Sequence, residues 1–388
     1  MILPPAMLGV LGGGQLGRYF VNAAHQLGYR VMVLDPDPCS TAGRIADVHL
    51  KAAYDDPAAL ECMSSMCAAV TVEFESVPAD ALAYLERSTQ VRPGADAVAI
   101  CQDRRREKGF LKRFGFPHAP YAEILCNEDI VQTSPDLFPA ILKVSRFGYD
   151  GKGQARVASR AEALAAFNGF NGEACVLEQL MPLDYEASLV LARGEDGALQ
   201  CFPMAENHHQ GGILDYSIAP SHEDAAAIFG EARQIAEGIA TELKYVGVLG
   251  IEFFISNGRL YVNELAPRPH NSAHYTLDAC LTSQFEQQVR ALCGLPLAAP
   301  DMHSAAVMVN LLGDLWFVDG GDEPREPDWQ HLLRQPELKL HLYGKESVQK
   351  GRKMGHFAVL AKDRKNAFAI ALESRAAMAC CRERSDFT

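Results

Sequence analysis

The feature that most constrains this chain is a hairpin signal that carries two acidic side chains. Residues 251–256 and 259–265 are rich in β-branched and aromatic residues, and Asn257-Gly258 between them is a strong turn signal. Glu252 and Glu264 therefore fall on neighbouring strands. Two carboxylates on one sheet edge repel each other unless a cation neutralises them. The pattern predicts a site for Mg²⁺, which takes oxygen ligands and bridges nucleotide phosphates.

The register of this hairpin decides whether the two carboxylates can share a metal. A two-residue turn would pair Ser256 with Arg259 and, because side chains alternate, would leave Glu252 and Glu264 on opposite faces. A three-residue loop, with Gly258 in the left-handed position of a G1 bulge, brings them to one face. We predict the bulged loop. The alternative is a surface hairpin with two solvated glutamates.

The composition limits the class of protein. The chain has 388 residues, of which 48% are hydrophobic and 22% are charged. This length and composition predict a soluble protein of two or three domains. A formal charge of −13 argues against binding to nucleic acid or to an anionic membrane, so an anionic ligand must be met by local cations. Eleven cysteines without a CxxC pair predict free thiols in a reducing compartment. Without a signal-peptide pattern or a long apolar run, the expected location is the cytoplasm.

The first block of the chain alternates strand and helix signals. Strands are predicted at 7–11 and 30–34, with a helix at 18–27 between them. The turn GGGQLG, at 12–17, has the GxGxxG spacing of a dinucleotide fold, and Asp35 stands where a ribose-binding acid would be. A tight structural turn, or a site for another anion, also explains these glycines.

Two further segments of this half carry charge. Residues 69–74 are predicted as a buried parallel strand, with Glu73 and Glu75 at the end where open α/β sheets bind ligands. One of these acids is expected to reach a substrate, although capping or solvation would also explain them. Residues 103–114 are predicted as a basic helix, and such a charge run more often marks a solvated face than a site.

A glycine-rich loop follows a lysine-bearing strand in the middle of the chain. Residues 138–144 are predicted as a strand that carries Lys143, and FGYDGKGQ follows at 147–154. Three glycines around a lysine predict a flexible loop that closes over phosphates. Strands are predicted at 175–180 and 185–192, and they carry Glu178 and Glu186. These two acids would hold an adenine and a ribose, respectively, or they lie exposed on an ordinary antiparallel sheet.

Together these segments resemble the ATP-grasp superfamily and, within it, the 5-(carboxyamino)imidazole ribonucleotide synthase family of purine biosynthesis. The resemblance spans residues 7 to about 360 and fits poorly beyond Phe357. It rests on five motifs, in order: GGGQLGR (12–18), FGYDGKGQ (147–154), ENHHQGGIL (206–214), NELAPRPHNSAH (263–274) and YGKESVQKGRKMGH (343–356).

The resemblance implies a fold of the α/β and α+β classes. An N-terminal Rossmann-like, or pre-ATP-grasp, domain is expected at 1–100. The ATP-grasp domain is expected at 101–295, with a lid subdomain within 118–190, and a small C-terminal domain at 296–388.

The resemblance also implies a reaction. In this family ATP phosphorylates bicarbonate to carboxyphosphate, and the amine of 5-aminoimidazole ribonucleotide then takes up the carboxyl group, with release of ADP and phosphate. ATP and Mg²⁺ are the expected cofactors. Members are usually homodimers, so a homodimer is expected.

Residue roles carried over from the family form three groups. The Mg²⁺ ligands would be Glu252 and Glu264. The ribonucleotide would contact Gln15, Leu16, Glu73, Asn271, Lys345 and Arg352, the last two as a clamp for its 5′-phosphate. ATP would contact Arg104, Lys143, Gly148, Tyr149, Asp150, Gly151, Lys152, Gly153, Gln154, Glu178, Gln179, Leu180, Met181, Glu186, His209, Asn263 and Glu264.

Three residues are expected to serve the chemistry. The planar fork of Arg268 suits bidentate binding of a carboxylate or phosphate, and a structural ion pair is the alternative. His270 would position bicarbonate or move protons, and Asp150 would face the substrate amine. One position departs from many ATP-grasp enzymes: Ala266 stands where they have an asparagine ligand. The family shares this feature. The missing asparagine ligand leaves the number of bound metal ions open.

Three other functions are considered. A nicotinamide-dependent dehydrogenase would explain the glycine turn but gives no role to Lys143 or the glutamate pair. A formate-dependent glycinamide ribonucleotide transformylase would use the nucleotide residues equally well and differ at the substrate motifs. A nonenzymatic nucleotide sensor is disfavoured, since Arg268 and both glutamates are present.

Overall fold

The N-terminal part of the computed structural model is a parallel α/β unit. The structure describes residues 1–148, 151–221, 226–317 and 323–384. The five strands run parallel in the order β3-β2-β1-β4-β5. They are β1 Met7–Leu11, β2 Arg30–Leu34, β3 Val48–Leu50, β4 Ala69–Val72 and β5 Gln90–Val91. The helices are α1 Gln15–Gln26, α2 Pro57–Met66, α3 Ala79–Leu85 and α4 Ala95–Cys101.

A small antiparallel sheet follows this unit. Helix α5, Arg104–Phe114, leads into it, and its four strands lie in the order β6-β9-β7-β8. Its elements are β6 Tyr121–Ile124, α6 Asn127–Gln132, β7 Ala140–Val144, β8 Gln154–Val157, α7 Arg160–Gly169 and β9 Cys175–Gln179.

The remaining strands form one nine-stranded antiparallel sheet. Its order is β15-β14-β10-β12-β13-β16-β18-β17, with β11 paired to β10, so the C-terminal strands continue the same sheet through the β13–β16 pair. Strands and helices are β10 Tyr185–Arg193, β11 Leu199–Cys201, β12 Ala205–Gln210, β13 Ile213–Ala219, α8 Ala226–Glu242, β14 Gly247–Ser256, β15 Arg259–Ala266, α9 Thr276–Ala279, α10 Gln284–Leu292, β16 Ala305–Leu312, α11 Gln330–Leu333, β17 Leu338–Leu342, β18 Lys353–Ala361 and α12 Arg364–Arg384.

Several element boundaries differ from the sequence-based prediction. Helix α1 begins three residues earlier than expected, because Gly14 is its extended N-cap and the last three residues of the GGGQLG segment are already helical. Strand β4 stops at Val72, two residues before the predicted end. The tail that fitted the family poorly forms helix α12, which packs on β16 and β18. None of the described helices is long and apolar enough to span a bilayer.

The predicted loop of the β14–β15 hairpin is wrong. Ser256 pairs with Arg259, and both residues of the turn have positive φ, 50° at Asn257 and 70° at Gly258, as a two-residue type I′ turn requires. The register instead shifts inside the strands, where Asn263 is the extra residue of a bulge. Glu252 consequently pairs directly with Glu264. The two carboxylates share one face, by a different device from the one predicted.

The N-terminal unit is docked on the large sheet by apolar and polar contacts. Helix α10 packs against α1, and its Phe285 is buried in the same cluster as Leu8 of β1. Gln288 links the two sheets, since its side chain accepts from Val248 N at 2.6 Å and donates to Thr71 Oγ1 at 2.6 Å. The carboxyl ends of β1 and β4 are thereby held over the large sheet.

Stacked histidines join the C-terminal strands to the contact between the N-terminal unit and the large sheet. The ring of His356 stacks on His341 and on His274, with centroids 4.5 and 4.6 Å apart, and Tyr19 of α1 closes the cluster. Burial lowers the pKa of His274 and His356 well below the ordinary value, which keeps both rings neutral. Neutral rings can stack without charge repulsion, so three segments distant in sequence meet in one rigid contact.

Candidate active site

One cavity of about 1230 Å³ lies where the three sheets meet. Its wall contains side chains or backbone from the glycine turn, α5, the lid loop, the β12–β13 hairpin and the β14–β15 hairpin. Most of the predicted site residues line it: Gln15, Leu16, Glu73, Arg104, Lys143, Gly151, Gln154, Glu186, His209, Glu252, Asn263, Glu264, Arg268, His270, Asn271 and Arg352.

The carboxylate pair of the hairpin lies in the floor of this cavity. Glu252 Oε1 is 3.2 Å from His270 Nε2, and Glu252 Oε2 accepts a hydrogen bond of 3.1 Å from the Asn263 amide. Glu264 Oε2 accepts from Arg104 Nη1 at 3.1 Å. Burial opposes ionisation of Glu252, but contact with His270 and Asn263 outweighs it and lowers its pKa. The floor therefore presents anionic oxygens.

This donor set suits Mg²⁺ in a nucleotide complex. No described group of three or more histidine, cysteine or acidic side chains is arranged to hold a metal alone. Two carboxylates on one face are, however, what Mg²⁺ uses when phosphates and water complete its coordination. Glu252 and Glu264, directly opposite each other, meet that condition.

A buried charge network lies beneath the end of the cavity that Lys143 and Arg104 line. Glu178 Oε2 is 3.1 Å from Lys143 Nζ and 3.6 Å from Lys108 Nζ. Burial works against ionisation of Glu178, yet these lysines hold its pKa down at about 2. The Glu178 side chain thus neutralises cations below the cavity wall, whereas Lys143 lines the wall itself.

Helix α5 departs from the solvated face expected of a basic helix. Arg104, in its first turn, lines the cavity, while Glu107 and Lys108 are only 1% and 0% exposed. The basic first turn of the helix lies at the site because Asp103 caps the helix next to the end of β7. There the Asp103 carboxylate accepts from Ser145 Oγ at 2.6 Å.

Gly151 of the glycine-rich loop and the turn between β12 and β13 meet above the cavity. Gly151 has φ of +78°, and a side chain there would lie 3.0 Å from Gly211 O. Beneath them His209 Nδ1 lies 2.8 Å from Glu186 Oε2. Burial favours neutral His209, but contact with Glu186 outweighs it and raises the pKa of His209.

The other residues predicted to contact ATP fall into three groups by their location. Tyr149 and Asp150 lie outside the described residues. Gly148 lines a small adjoining cavity with Arg104. The main cavity, as described, is not lined by Lys152, Gly153, Gln179, Leu180 or Met181. Gln179 is the last residue of β9, and Leu180 donates its N–H to Pro139 O at 2.8 Å.

The glycine turn already contains an acidic side chain of the protein's own. Glu73 accepts hydrogen bonds from Gly14 N at 2.7 Å and Gly17 N at 3.0 Å. A Cβ on Gly12, whose φ is +107°, would lie 2.3 Å from the Glu73 side chain, so only glycine fits there. Asp35 is also engaged, as it accepts from Gly13 N at 2.6 Å. Both acids therefore hold the turn, and Asp35 does not stand free for a ribose.

Arg268 is ion-paired with an acid from the N-terminal unit. Its Nε lies 2.5 Å from Glu75 Oε2, and its Nη1 donates to Pro269 O at 3.1 Å. Burial alone would raise the pKa of Glu75, but Arg268 overcomes this and lowers it to about 2. The pair fixes the guanidinium plane while Arg268 still lines the cavity. His270 beside it is oriented by Ser272 Oγ, 2.7 Å from Nδ1.

The C-terminal cations lie at a second cavity of about 420 Å³. Lys345 and Arg352 line it together with Gly13 and Gly14, and Arg352 also lines the main cavity. Lys345 Nζ donates to Gln15 Oε1 at 2.8 Å, and so ties the C-terminal strands to the glycine turn. The two cavities therefore adjoin at the predicted ribonucleotide residues.

Sequence reasoning missed several residues of this site. Glu75 was considered only as an alternative to Glu73, and its partner Arg268 is far away in sequence. Lys108 and Arg156 were not singled out; the only available signal was their position in charged segments. Lys353 also lines the cavity and lies within a quoted motif.

Comparison with known proteins gives concordant matches along the chain. Residues 6–102 match the ribonucleotide synthetase preATP-grasp domain, 109–285 the ATP-grasp domain, and 306–369 the phosphoribosylaminoimidazole carboxylase C-terminal domain. The N5-carboxyaminoimidazole ribonucleotide synthase of Bacillus subtilis is 40% identical over 363 residues, which make up 93% of each chain.

Solved structures agree with the sequence matches. The N5-carboxyaminoimidazole ribonucleotide synthetase of Thermus thermophilus superposes with a TM-score of 0.88 at 37% identity, over 96% of this chain and 98% of that one. An Aspergillus clavatus N5-carboxyaminoimidazole synthase, solved with ADP and 5-aminoimidazole ribonucleotide, gives 0.86 at 28% identity over the same shares.

Proposed function

The chain belongs to the N5-carboxyaminoimidazole ribonucleotide synthases of the ATP-grasp superfamily, and we infer that it carboxylates 5-aminoimidazole ribonucleotide with bicarbonate. ATP is cleaved to ADP and phosphate, and carboxyphosphate is the intermediate. The observation that carries this function is the joining of the large cavity and the Lys345–Arg352 cavity. A nucleotide site and a ribonucleotide site must adjoin if a carboxyl group is to pass between their ligands.

We assign the phosphate-binding roles to cations that line the nucleotide end of the cavity. Arg104 and Lys143 supply positive charge from the cavity wall, while Glu264 and Glu178 hold their side chains in place. Fixed cations stabilise the charge that spreads over a transferring phosphoryl group. Glu186, in contact with His209, is proposed to accept from the nucleotide ribose.

Mg²⁺ would be held by Glu252 and Glu264. When bound, it neutralises charge on the nucleotide phosphates and on the group being transferred. The chain's own contribution is to keep Glu252 ionised and the two carboxylates opposed, which the lowered pKa of Glu252 and the strand pairing support.

Bicarbonate is proposed to bind beside Arg268. Among the described residues, Arg268 contacts acceptors through Nε and Nη1, which leaves its Nη2 donors for an anion at the cavity wall. His270, oriented by Ser272, is placed to hold a proton near the same anion. The substrate amine then attacks the carboxyl carbon of carboxyphosphate, and the C–O bond to phosphate breaks. Asp150 is proposed to take the amine proton.

The ribonucleotide is proposed to lie across the two cavities. Gln15, Leu16, Glu73 and Asn271 line the larger one, and Lys345 with Arg352 would clamp its 5′-phosphate in the smaller. The dehydrogenase alternative loses its support, because Glu73 and Asp35 already occupy the amides that a dinucleotide pyrophosphate would need.

The test of function is phosphate release from MgATP and bicarbonate, with and without 5-aminoimidazole ribonucleotide. We expect the imidazole substrate to stimulate release by about tenfold or more, since its binding completes the acceptor site. Formate with glycinamide ribonucleotide is the control and should give no stimulation. Turnover with that pair alone would contradict the assignment.

We also propose a homodimer in the cytoplasm. The family usually forms homodimers, and the nine cysteines whose state the structure describes are all free thiols, as in a reducing compartment. Sedimentation equilibrium should give about twice the 42.3 kDa chain mass. A single-chain mass at micromolar concentration would rule out a stable dimer.

A further inference from the structure

The metal-facing geometry of the hairpin depends on one irregularity in an edge strand. Strand β15 is the outermost strand of the nine-stranded sheet, and its outer edge is bridged by the 117–118 segment at Val262, whose N–H donates to Pro117 O at 2.8 Å. The bulge adds Asn263 to this edge. The extra residue of a bulge is left out of the ladder, and its polar groups need other partners. Something outside the sheet must therefore hold the bulge.

Helix α5 supplies those partners through two adjacent buried residues. Lys108 Nζ donates to Asn263 O at 2.9 Å, its shortest contact, and lies 3.5 Å from Val262 O. Glu107 Oε1 accepts from Leu265 N at 2.5 Å. The helix thus holds the strand one residue before and one residue after Glu264.

The Lys108 ammonium has a second, longer contact with the Glu178 carboxylate. Glu178 lies 3.6 Å from Lys108 but 3.1 Å from Lys143, so the nearer lysine is the closer counter-charge for that acid. A lysine with 0% exposure loses its hydration, and in exchange its nearest partner is the carbonyl of the bulge, which lies closer than Glu178.

We infer that Lys108, assisted by Glu107, is a positioning residue for the metal site. It holds the bulge at Asn263, and the bulge brings Glu264 opposite Glu252. With regular pairing from the turn, Glu252 would face residue 263, and Glu264 would point to the other face. This inference rests on the proposed magnesium role of the two glutamates.

The experiment measures metal binding directly. Mn²⁺, which takes similar oxygen ligands, is titrated into the full-length protein with ADP present, and free Mn²⁺ is followed by electron paramagnetic resonance. We compare the native protein with Lys108→Met, which keeps most of the unbranched side chain and removes its donor. Lys112→Met, an exposed lysine on the same helix, is the matched control.

Lys108→Met should weaken Mn²⁺ binding by about 10-fold to 100-fold, as for other residues that orient metal ligands. ADP affinity without metal should change by less than about threefold, whereas disruption of the whole site would lower both affinities. Mn²⁺ affinity within twofold of native, in folded Lys108→Met, would overturn the inference.

Glu264→Gln separates this inference from the proposed function. If Glu264→Gln loses Mn²⁺ affinity and Lys108→Met does not, only the positioning role fails. If neither variant loses affinity, the metal role of the glutamates fails as well. Should the methionine variant not fold, Lys108→Gln, which is uncharged and one bond too short to reach Asn263 O, is measured in its place. A twofold or smaller loss in that variant, with full loss in Glu264→Gln, counts against the positioning role.

Discussion

Replacing Glu264 with glutamine is expected to lower ATP-dependent carboxylation by about 100-fold to 1000-fold, comparable to removal of one group that stabilises a transition state. The amide keeps the size of the side chain but removes half of the anionic charge offered to Mg²⁺. It also takes away the carboxylate 3.1 Å from Arg104 Nη1, so that cation is left to repel the metal.

Phosphate release as a function of Mg²⁺ concentration checks this expectation. Glu123→Gln, an exposed acid on β6, is the control and should behave like the native protein. Binding of 5-aminoimidazole ribonucleotide should be unchanged in both variants, because its proposed pocket does not include Glu264. A Glu264→Gln enzyme within threefold of native activity would remove the residue from the metal site.

Replacing Arg268 with lysine is expected to lower the rate by about 100-fold or more, although the charge is conserved. Lysine offers a point charge on one nitrogen in place of a planar fork, so it cannot pair with Glu75 through one nitrogen and donate to bicarbonate through another. The retained cation still neutralises Glu75, and the fold should therefore survive.

The diagnostic measurement is the dependence of the rate on bicarbonate. In Arg268→Lys the KM for bicarbonate should rise and the turnover at saturation should fall, whereas the KM for ATP should stay within about threefold of native. Arg259→Lys, at the exposed start of β15, is the matched control. An unchanged bicarbonate dependence would assign Arg268 to the purely structural ion pair that was the alternative.

The hairpin shows both the reach and the limit of sequence reasoning. The strands, the turn residues and the two glutamates were all recognised from local signals, because residue type and alternation are local properties. The bulge was placed in the loop, since Gly258 was the only visible residue suited to it. Its actual position at Asn263 depends on Lys108, which lies 155 residues earlier in the chain.

Helix α5 shows a second limit. A run of arginines and lysines is most often solvated, and nothing in residues 103–114 alone distinguishes the inward residues from the outward ones. Burial of Glu107 and Lys108 follows from packing against β15, which is a tertiary event. The Arg268–Glu75 pair is of the same kind, since its members lie 193 residues apart.

The five family motifs converge on the cavity because each lies at an element end or turn that faces it. Loops and strand ends carry function in most folds, and their order along the chain is enough to identify the family. The lid positions Tyr149 and Asp150, outside the described residues, remain predictions.

The carboxylate of Glu73 in the glycine turn has a consequence for ligand design. It is tethered to its amide donors at high effective concentration, so a free pyrophosphate group must compete with an intramolecular rival. Compounds built to mimic NAD or ADP-ribose should accordingly gain little at this turn. A scaffold that offers an amine or amide N–H to Glu73 would instead use the resident carboxyl group as its anchor. Selectivity over dinucleotide-binding enzymes is thus built into the first loop of the chain.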